Sequence, residues 1–249
     1  MAGFKHADIQ TLTLDVCSDE NVLSVVATIL EQEGKIDVVV NNAGVNCAGT
    51  MVDVPLEVVQ KIFDANVYSV LRVSKAVFPH MAARKSGTIV NIGSIVGEIL
   101  DSTKNCSDSP TAWNGVYAAT KAAVRSISDV LWQESKPFNI NVTYVAPGAV
   151  KSNIANTTLA SGIHMPDDSL YKSYVAQITQ RMLASQGPNS MPAEEFAIGV
   201  VTATLSPKPP RSTTLGGNAA VYKIFGWLPR TWVLELLWKQ LLKLHRGST

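Results

Sequence analysis

The feature that most restricts the fold of this chain is a repeated change of hydrophobic period, in which short apolar runs ending in turn residues alternate with longer helical stretches. Residues 9–16 (IQTLTLDV) predict a strand, and 19–33 a helix opened by Ser18 or Asp19. Ile36 to Val40 predicts a strand running into Asn41-Asn42-Ala43-Gly44, and Pro55 to Arg84 a long helix. Thr88 to Ile92 reads as strand, Tyr117 to Glu134 as helix, and Asn141 to Val145 as a strand broken by Pro147-Gly148. SPKPPR at 206–211 then separates a short helix from a last strand near Thr213 to Val221. Strands separated by helices imply right-handed crossovers, hence an α/β chain with a doubly wound parallel sheet. Its 249 residues suit one domain, with a core over 9–150. Residues 150–192 lack a clear period and end in GPNSMP, which reads as a lid over the sheet.

Composition removes several function classes. Hydrophobic residues make up 46% and charged residues 16%, so the chain has ample material for a packed core and is not disordered. Twenty-one Lys and Arg against twenty Asp and Glu leave +1, which gives no footprint for nucleic acid. Cys17, Cys47 and Cys106 form no CxxC pair, and His6, His80, His164 and His245 are scattered. Neither a disulfide framework nor a metal site is expected. MAGFKHADIQ lacks the pattern of a secretory signal, so the Asn105, Asn141 and Asn156 sequons carry no weight, and an intracellular, reducing setting fits. No uncharged apolar stretch is long enough to span a bilayer.

Tyr117 and Lys121 carry the chemistry. Four residues apart on a helix, they share a face and set a phenol beside an ammonium. Such a pair occurs in many helices as an exposed ladder. Here its neighbours raise its meaning: Asn41-Asn42-Ala43-Gly44, Asn91-Ile92-Gly93-Ser94 and Pro147-Gly148 all fall at carboxyl ends of strands, where open α/β sheets bind ligands.

As a set, NNAG, Ser94, YxxxK and PG resemble the short-chain dehydrogenase/reductase family over residues 9 to about 150. The resemblance implies a Rossmann-type sheet and a catalytic tetrad of Asn66, Ser94, Tyr117 and Lys121. It also implies that Asp15 contacts adenine, that Asn41, Ala43 and Gly44 form a floor beneath the cofactor, and that Pro147, Gly148, Val150 and Ser152 meet its nicotinamide end. Tyr117 and Lys121 would touch the cofactor too. The physical logic runs alongside. A phenol with a pKa near ~10 needs a nearby cation to act at neutral pH, and Lys121 supplies one. Ser94 would polarise a carbonyl where negative charge develops, and Tyr117 would donate the proton.

Two departures from the family pattern stand out. A TGxxxGxG turn for the pyrophosphate should precede Asp15, and residues 1–14 contain none. The expectation is an N-terminally truncated sheet without its first βαβ unit, with a hole between the strand ending at Asp15 and the one ending at Asn41, and weak cofactor binding by residues 1–249. A truncated gene model explains this better than a short natural protein. Second, Ser94 and Tyr117 are 23 positions apart, farther than is usual in the family. The polar 97–116 segment is either a loop insertion at the site mouth or a mispredicted exon junction.

The run from Tyr117 to Thr158, together with GGNAA at 216–220, looks most like the fungal NADPH-dependent 1-acyldihydroxyacetone-phosphate reductases. That likeness implies NADP(H) and reduction of a lipid-like carbonyl substrate, for example 1-acyldihydroxyacetone phosphate to 1-acylglycerol 3-phosphate. The alternative is a catalytically impaired relative acting as a membrane- or partner-binding protein, and a homo-oligomer is open. Residues 230–246 predict an amphipathic helix with a narrow polar stripe. Its Trp and Lys residues suit a membrane interface, placing the protein on an endoplasmic-reticulum or lipid-droplet surface, otherwise in the cytoplasm. Packing on its own domain or on a dimer partner is the other reading of that helix.

Overall fold

The structure, a computed structural model, describes residues 8–97, 111–217, 219 and 228–246. Its elements are α1 (Asp19–Glu33), β1 (Val38–Asn41), β2 (Ala48–Gly49), α2 (Leu56–Phe63), α3 (Ser69–Ala83), β3 (Gly87–Ile92), α4 (Gly115–Glu134), β4 (Ile140–Pro147), α5 (Ile154–Ala160), β5 (Ile163–His164), α6 (Val175–Met182), α7 (Ala193–Thr204), β6 (Ser212–Leu215) and α8 (Arg230–Arg246). The main sheet has the order β1-β3-β4-β6 and every pairing is parallel. β2 and β5 pair separately, also in parallel.

Side chains alternate across the sheet, as strand geometry requires. Ile89 and Val142 face α1 and α3, where Val22, Val26, Val77 and Met81 close a core cluster. Tyr144 and Ala146 lie on that same face under α4 and pack with Val124 and Ala118. Val90 and Val145 point the other way, against Val200 of α7. Helices on both faces make the sheet doubly wound, as the sequence predicts.

Local signals explain the boundaries. The Ser18 hydroxyl caps α1 by accepting from the Asn21 amide at 3.2 Å. Gly34 closes the helix at φ 74°, a left-handed conformation that glycine adopts without penalty.

The first expected strand is not there. Residues 9–16 form no strand, and Ile9, Leu12 and Leu14 stay 43–47% exposed. An alternating segment becomes a strand only when a ladder partner accepts its backbone, and among the described residues this one has none. In place of a hole within the sheet, β1 forms one edge, with Val40 half exposed. A groove of about 460 Å³ runs along that edge beneath Leu14 and Val16. The expected helix over 55–84 also divides. Asp64–Tyr68 widen into a π turn between α2 and α3. The last strand covers Ser212–Leu215, shorter than expected; Gly216 and Gly217 lie beyond it, and 218, 220 and 221 fall outside the described residues.

The C-terminal helix packs along one face. Val233 and Leu237 are buried, and Leu241 joins the cluster of Ala48, Trp113, Ile178 and Met182. The Trp238 ring lies 6.0 Å from that of Trp113, tilted by 58°. Trp232, Leu234 and Leu236 remain exposed. No described helix is long and apolar enough to cross a membrane.

Candidate active site

The carboxyl ends of β1, β3 and β4 converge on one cleft. β3 ends at Ile92, where Gly93 lets the chain pass the ring of Tyr144; a Cβ on Gly93 would lie 2.1 Å from that ring. Ser94 follows and is buried. The Tyr144 hydroxyl accepts from the Ser94 amide at 3.2 Å and donates to the Ser94 carbonyl at 3.0 Å, which fixes that turn. Gly97 lies against α4 so closely that a Cβ there would come within 2.3 Å of the Lys121 backbone.

On α4, Lys121 is 5% exposed and donates to the Ile92 carbonyl at 2.8 Å. Its ammonium lies 5.5 Å from the centre of the Tyr117 ring. Burial lowers Lys121 to about 8. Tyr117 shows part of its ring to the cleft, yet desolvation pushes its phenol up to about 12. A hydrogen bond with Ser94 and the positive charge of Arg181 offset part of that rise. This corrects the expectation that the Lys121 cation would hold the phenol low: burial prevails, and the phenol is protonated throughout the neutral range, able to act as an acid.

Asn66 sits in the π turn and is buried. Its Oδ1 accepts from the Val45 amide at 2.7 Å, and its Nδ2 donates to the Val45 carbonyl at 2.8 Å and to Thr120 Oγ1 at 3.0 Å. The Thr120 hydroxyl in turn donates to the Tyr117 carbonyl at 2.7 Å. Asn66 thus ties the 43–45 loop to the helix that carries Tyr117 and Lys121. A Cβ on Gly44 would sit 3.3 Å from Asn66 Oδ1 and 3.7 Å from Lys121 Nζ, so the loop, Asn66 and Lys121 meet at one point.

The other expected site residues divide. Asn41 donates to Asn91 Oδ1 at 2.8 Å and locks β1 to β3, while Ala43 and Gly44 are exposed along the cleft. Pro147 ends β4, and Gly148 passes so close to Gly217 that a Cβ would lie 2.4 Å from its carbonyl oxygen. Val150 bridges to Met191, and exposed Ser152 accepts through its carbonyl from Gln186 at 3.1 Å. Asp15 belongs to the turn before α1. Its Oδ1 accepts from the Cys17 amide at 2.9 Å and its own amide donates to Asn21 at 2.6 Å.

Tyr144, Gly97 and Arg181 lie outside the sequence motifs, and Thr120 and Gly93 lie within them without an assigned role, although the structure gives each a part in this site. Gly93 precedes Ser94 within its motif and Gly97 follows three residues later, which was the available signal. Arg181 is on α6, where its Nε donates to Thr111 Oγ1 at 2.5 Å. Of the 97–116 segment, 98–110 lie outside the described residues.

Comparison with known proteins agrees with this geometry. The family model of short chain dehydrogenases matches residues 3–161, more than half of the chain. The chain belongs to the short-chain dehydrogenase family. Among curated relatives, the NADPH-dependent 1-acyldihydroxyacetone phosphate reductase of Schizosaccharomyces pombe is 33% identical over 199 residues, 79% of this chain and 61% of that protein. Retinol dehydrogenase 8 of Homo sapiens is 31% identical over 208 residues, 80% of this chain and 63% of that protein. This short-chain dehydrogenase spans about two thirds or less of such relatives. A crystal structure of a short-chain dehydrogenase from Streptomyces avermitilis superposes with TM-score 0.69 at 27% identity, over 96% of this chain and 80% of that one.

Proposed function

We propose that this short-chain dehydrogenase reduces a carbonyl on a lipid-like small molecule with NADP(H), 1-acyldihydroxyacetone phosphate being the leading candidate. The observation that carries the reading is the meeting of Ser94, Tyr117 and Lys121 at the strand ends, with Tyr117 held in its acid form. Reduction needs a proton at the oxygen that receives negative charge, and a phenol pushed up to about 12 holds that proton at neutral pH. Ser94 would hydrogen-bond the carbonyl oxygen as its charge grows. The 33% identical reductase supports both the substrate class and the choice of NADP(H).

The residues present fit the nicotinamide half of the cofactor. The exposed Ala43-Gly44 backbone meets Lys121, Tyr117 lies one turn away on α4, and the Pro147–Ser152 loop follows the carboxyl end of the neighbouring strand β4. When bound, the cofactor would supply hydride. Asn41 and Asn66 act by holding that floor in place. For the diphosphate half, the described residues contain no glycine-rich strand-to-helix turn beside β1, and Asp15 is occupied by its own turn.

The open β1 edge favours a second reading, a family member that binds a partner or a membrane with little catalysis. The lid role of residues 150–192 and a lipid-droplet or endoplasmic-reticulum surface belong to the first reading. The exposed Trp232, Leu234 and Leu236 support the membrane part of it.

Calorimetry with NADPH and with reduced nicotinamide mononucleotide, followed by assay of 1-acylglycerol 3-phosphate formation, tests the proposal. Comparable binding of both nucleotides and NADPH-dependent product formation are expected. Absence of binding by either nucleotide would leave the second reading.

A further inference from the structure

Tyr117, Lys121 and Arg125 follow one another at four-residue steps on α4, so the helix face that carries the site residues continues one turn further to a guanidinium. Only 14% of the Arg125 side chain is exposed, and its fork is committed on both sides. Nε donates to Asp129 Oδ2 at 3.0 Å, and Nη1 donates to Ser212 Oγ at 3.0 Å. Asp129 is held in turn by Arg211, which donates to its other carboxylate oxygen at 2.8 Å. The cation therefore has a fixed place between α4 and β6, 4.7 Å from the centre of the Tyr144 ring. Ser212 is also the strand partner of Tyr144, so the sheet ladder and the guanidinium share one anchor.

What that ring holds is the Ser94 turn. The Ser94 amide donates to the Tyr144 hydroxyl at 3.2 Å, and the Ser94 carbonyl accepts from that hydroxyl at 3.0 Å and from the Gly97 amide at 3.2 Å. Ser94 Oγ accepts from the Val96 amide at 3.3 Å, so the direction of the serine hydroxyl follows the backbone of its own turn. Gly93 makes room for the phenol, and the guanidinium lies over it. A partly desolvated cation attracts the face of a ring, and it also draws electron density from the phenol, which strengthens the hydroxyl as a donor to the Ser94 carbonyl.

We infer that Arg125 is a positioning residue, which holds the Tyr144 ring so that its hydroxyl fixes the Ser94 turn and, with it, the Ser94 hydroxyl for carbonyl reduction. The inference deepens the functional reading above and rests on it only for the use made of the Ser94 hydroxyl; the run of contacts from Arg125 through Tyr144 to Ser94 stands without a substrate. Arg125 acts through Tyr144 and not on the reacting atoms. Lysine would keep a charge near the ring but lacks the planar fork that meets Asp129 and Ser212 together, so it would replace arginine only in part.

Amide hydrogen exchange of the full 249-residue chain, read residue by residue by NMR, tests the inference without turnover, because the Ser94 N–H is protected through the Tyr144 hydroxyl. Arg125→Met should lower the protection of Ser94 about tenfold relative to Ile89 and Val90 of the same strand, β3. Arg125→Lys should lower it about threefold. In a Tyr144→Phe background the acceptor is already gone, and Arg125→Met should then change Ser94 protection by less than about twofold. Unchanged Ser94 protection in Arg125→Met, an equal fall at Ser94, Ile89 and Val90, or the same further loss in the Tyr144→Phe background would overturn the inference. If Arg125→Met does not fold, Arg125→Lys decides by the same comparison. With 1-palmitoyldihydroxyacetone phosphate and NADPH, Arg125→Met should lower kcat about tenfold and leave KM within about twofold. A wild-type kcat in Arg125→Met would overturn the inference as well. Ser94 protection that follows Arg125 in a chain that reduces no carbonyl would uphold the positioning and refute the functional reading.

Discussion

The Tyr144 hydroxyl brackets Ser94, accepting from its amide at 3.2 Å and donating to its carbonyl at 3.0 Å. One buried phenol thereby positions Ser94, the residue proposed to hydrogen-bond the carbonyl, while the Arg125 guanidinium lies 4.7 Å over the centre of its ring. Tyr144→Phe keeps the packing and removes both bonds. It should lower stability by about 1–3 kcal/mol, because two buried backbone groups lose their partner. Chemical denaturation checks the stability, and a fall in kcat with KM little changed would show that Ser94 has lost its placement.

Asn66→Leu tests the π turn. The substitution removes three hydrogen bonds, and the Val45 N–H and C=O both lose their Asn66 partner. A loss of about 2–4 kcal/mol is expected, with weakened nucleotide binding as the 43–45 floor loosens. Asn66→Asp should keep the bond from the Val45 amide and cost less. Denaturation and calorimetry on both variants give the comparison.

Lys121 makes stability depend on pH. Its pKa is about 8 in the folded protein against the ordinary 10.5 of a free lysine, so between those values the unfolded chain binds more protons and stability rises with pH. Below about pH 8 the full penalty applies, about 3 kcal/mol. Lys121→Met should therefore be more stable than wild type near neutral pH by about 1–2 kcal/mol, after allowance for the lost bond to Ile92. The gap should narrow as pH rises toward about 9.5, below the range where Tyr117 contributes with the opposite sign. Urea denaturation at the two pH values measures it.

How much of this was legible in the sequence depends on whether the signal was local. β3, β4 and α4 lie within two residues of their expected ends, because a buried parallel strand and a 20-residue amphipathic helix carry strong periods. The YxxxK pair and the strand-end motifs led to the cleft for the same reason. Residues 9–16 have the right alternation but no ladder partner among the described residues, and pairing is not encoded in the segment itself. The π turn at Asp64–Tyr68 leaves the apolar spacing intact, so the long helix looked continuous. Tyr144 read as an ordinary core residue of a strand, and Arg181 lies in a stretch without period. Their roles come from contacts 50 and 70 residues away in sequence.

The tail gives a test of membrane contact that spares the fold. Val233 and Leu237 are committed to packing, so truncation would uncover the core, whereas Trp232 and Leu236 are 66% and 49% exposed. Trp232→Ser with Leu236→Ser should reduce flotation with anionic liposomes severalfold and leave thermal stability within about 0.5 kcal/mol. Equal flotation of wild type and variant, or none by either, would assign the helix to packing alone.

The central claim is that Tyr117, held as a proton donor between Ser94 and Lys121, completes carbonyl reduction. The rate of carbonyl reduction by wild type and Tyr117→Phe, each saturated with reduced nicotinamide nucleotide whose affinity is measured separately, tests it most directly. The account predicts a fall in kcat of about 10²–10⁴ with nucleotide affinity held within about twofold. A Tyr117→Phe rate within about tenfold of wild type, or no reduction by the nucleotide-saturated wild-type chain, would contradict it.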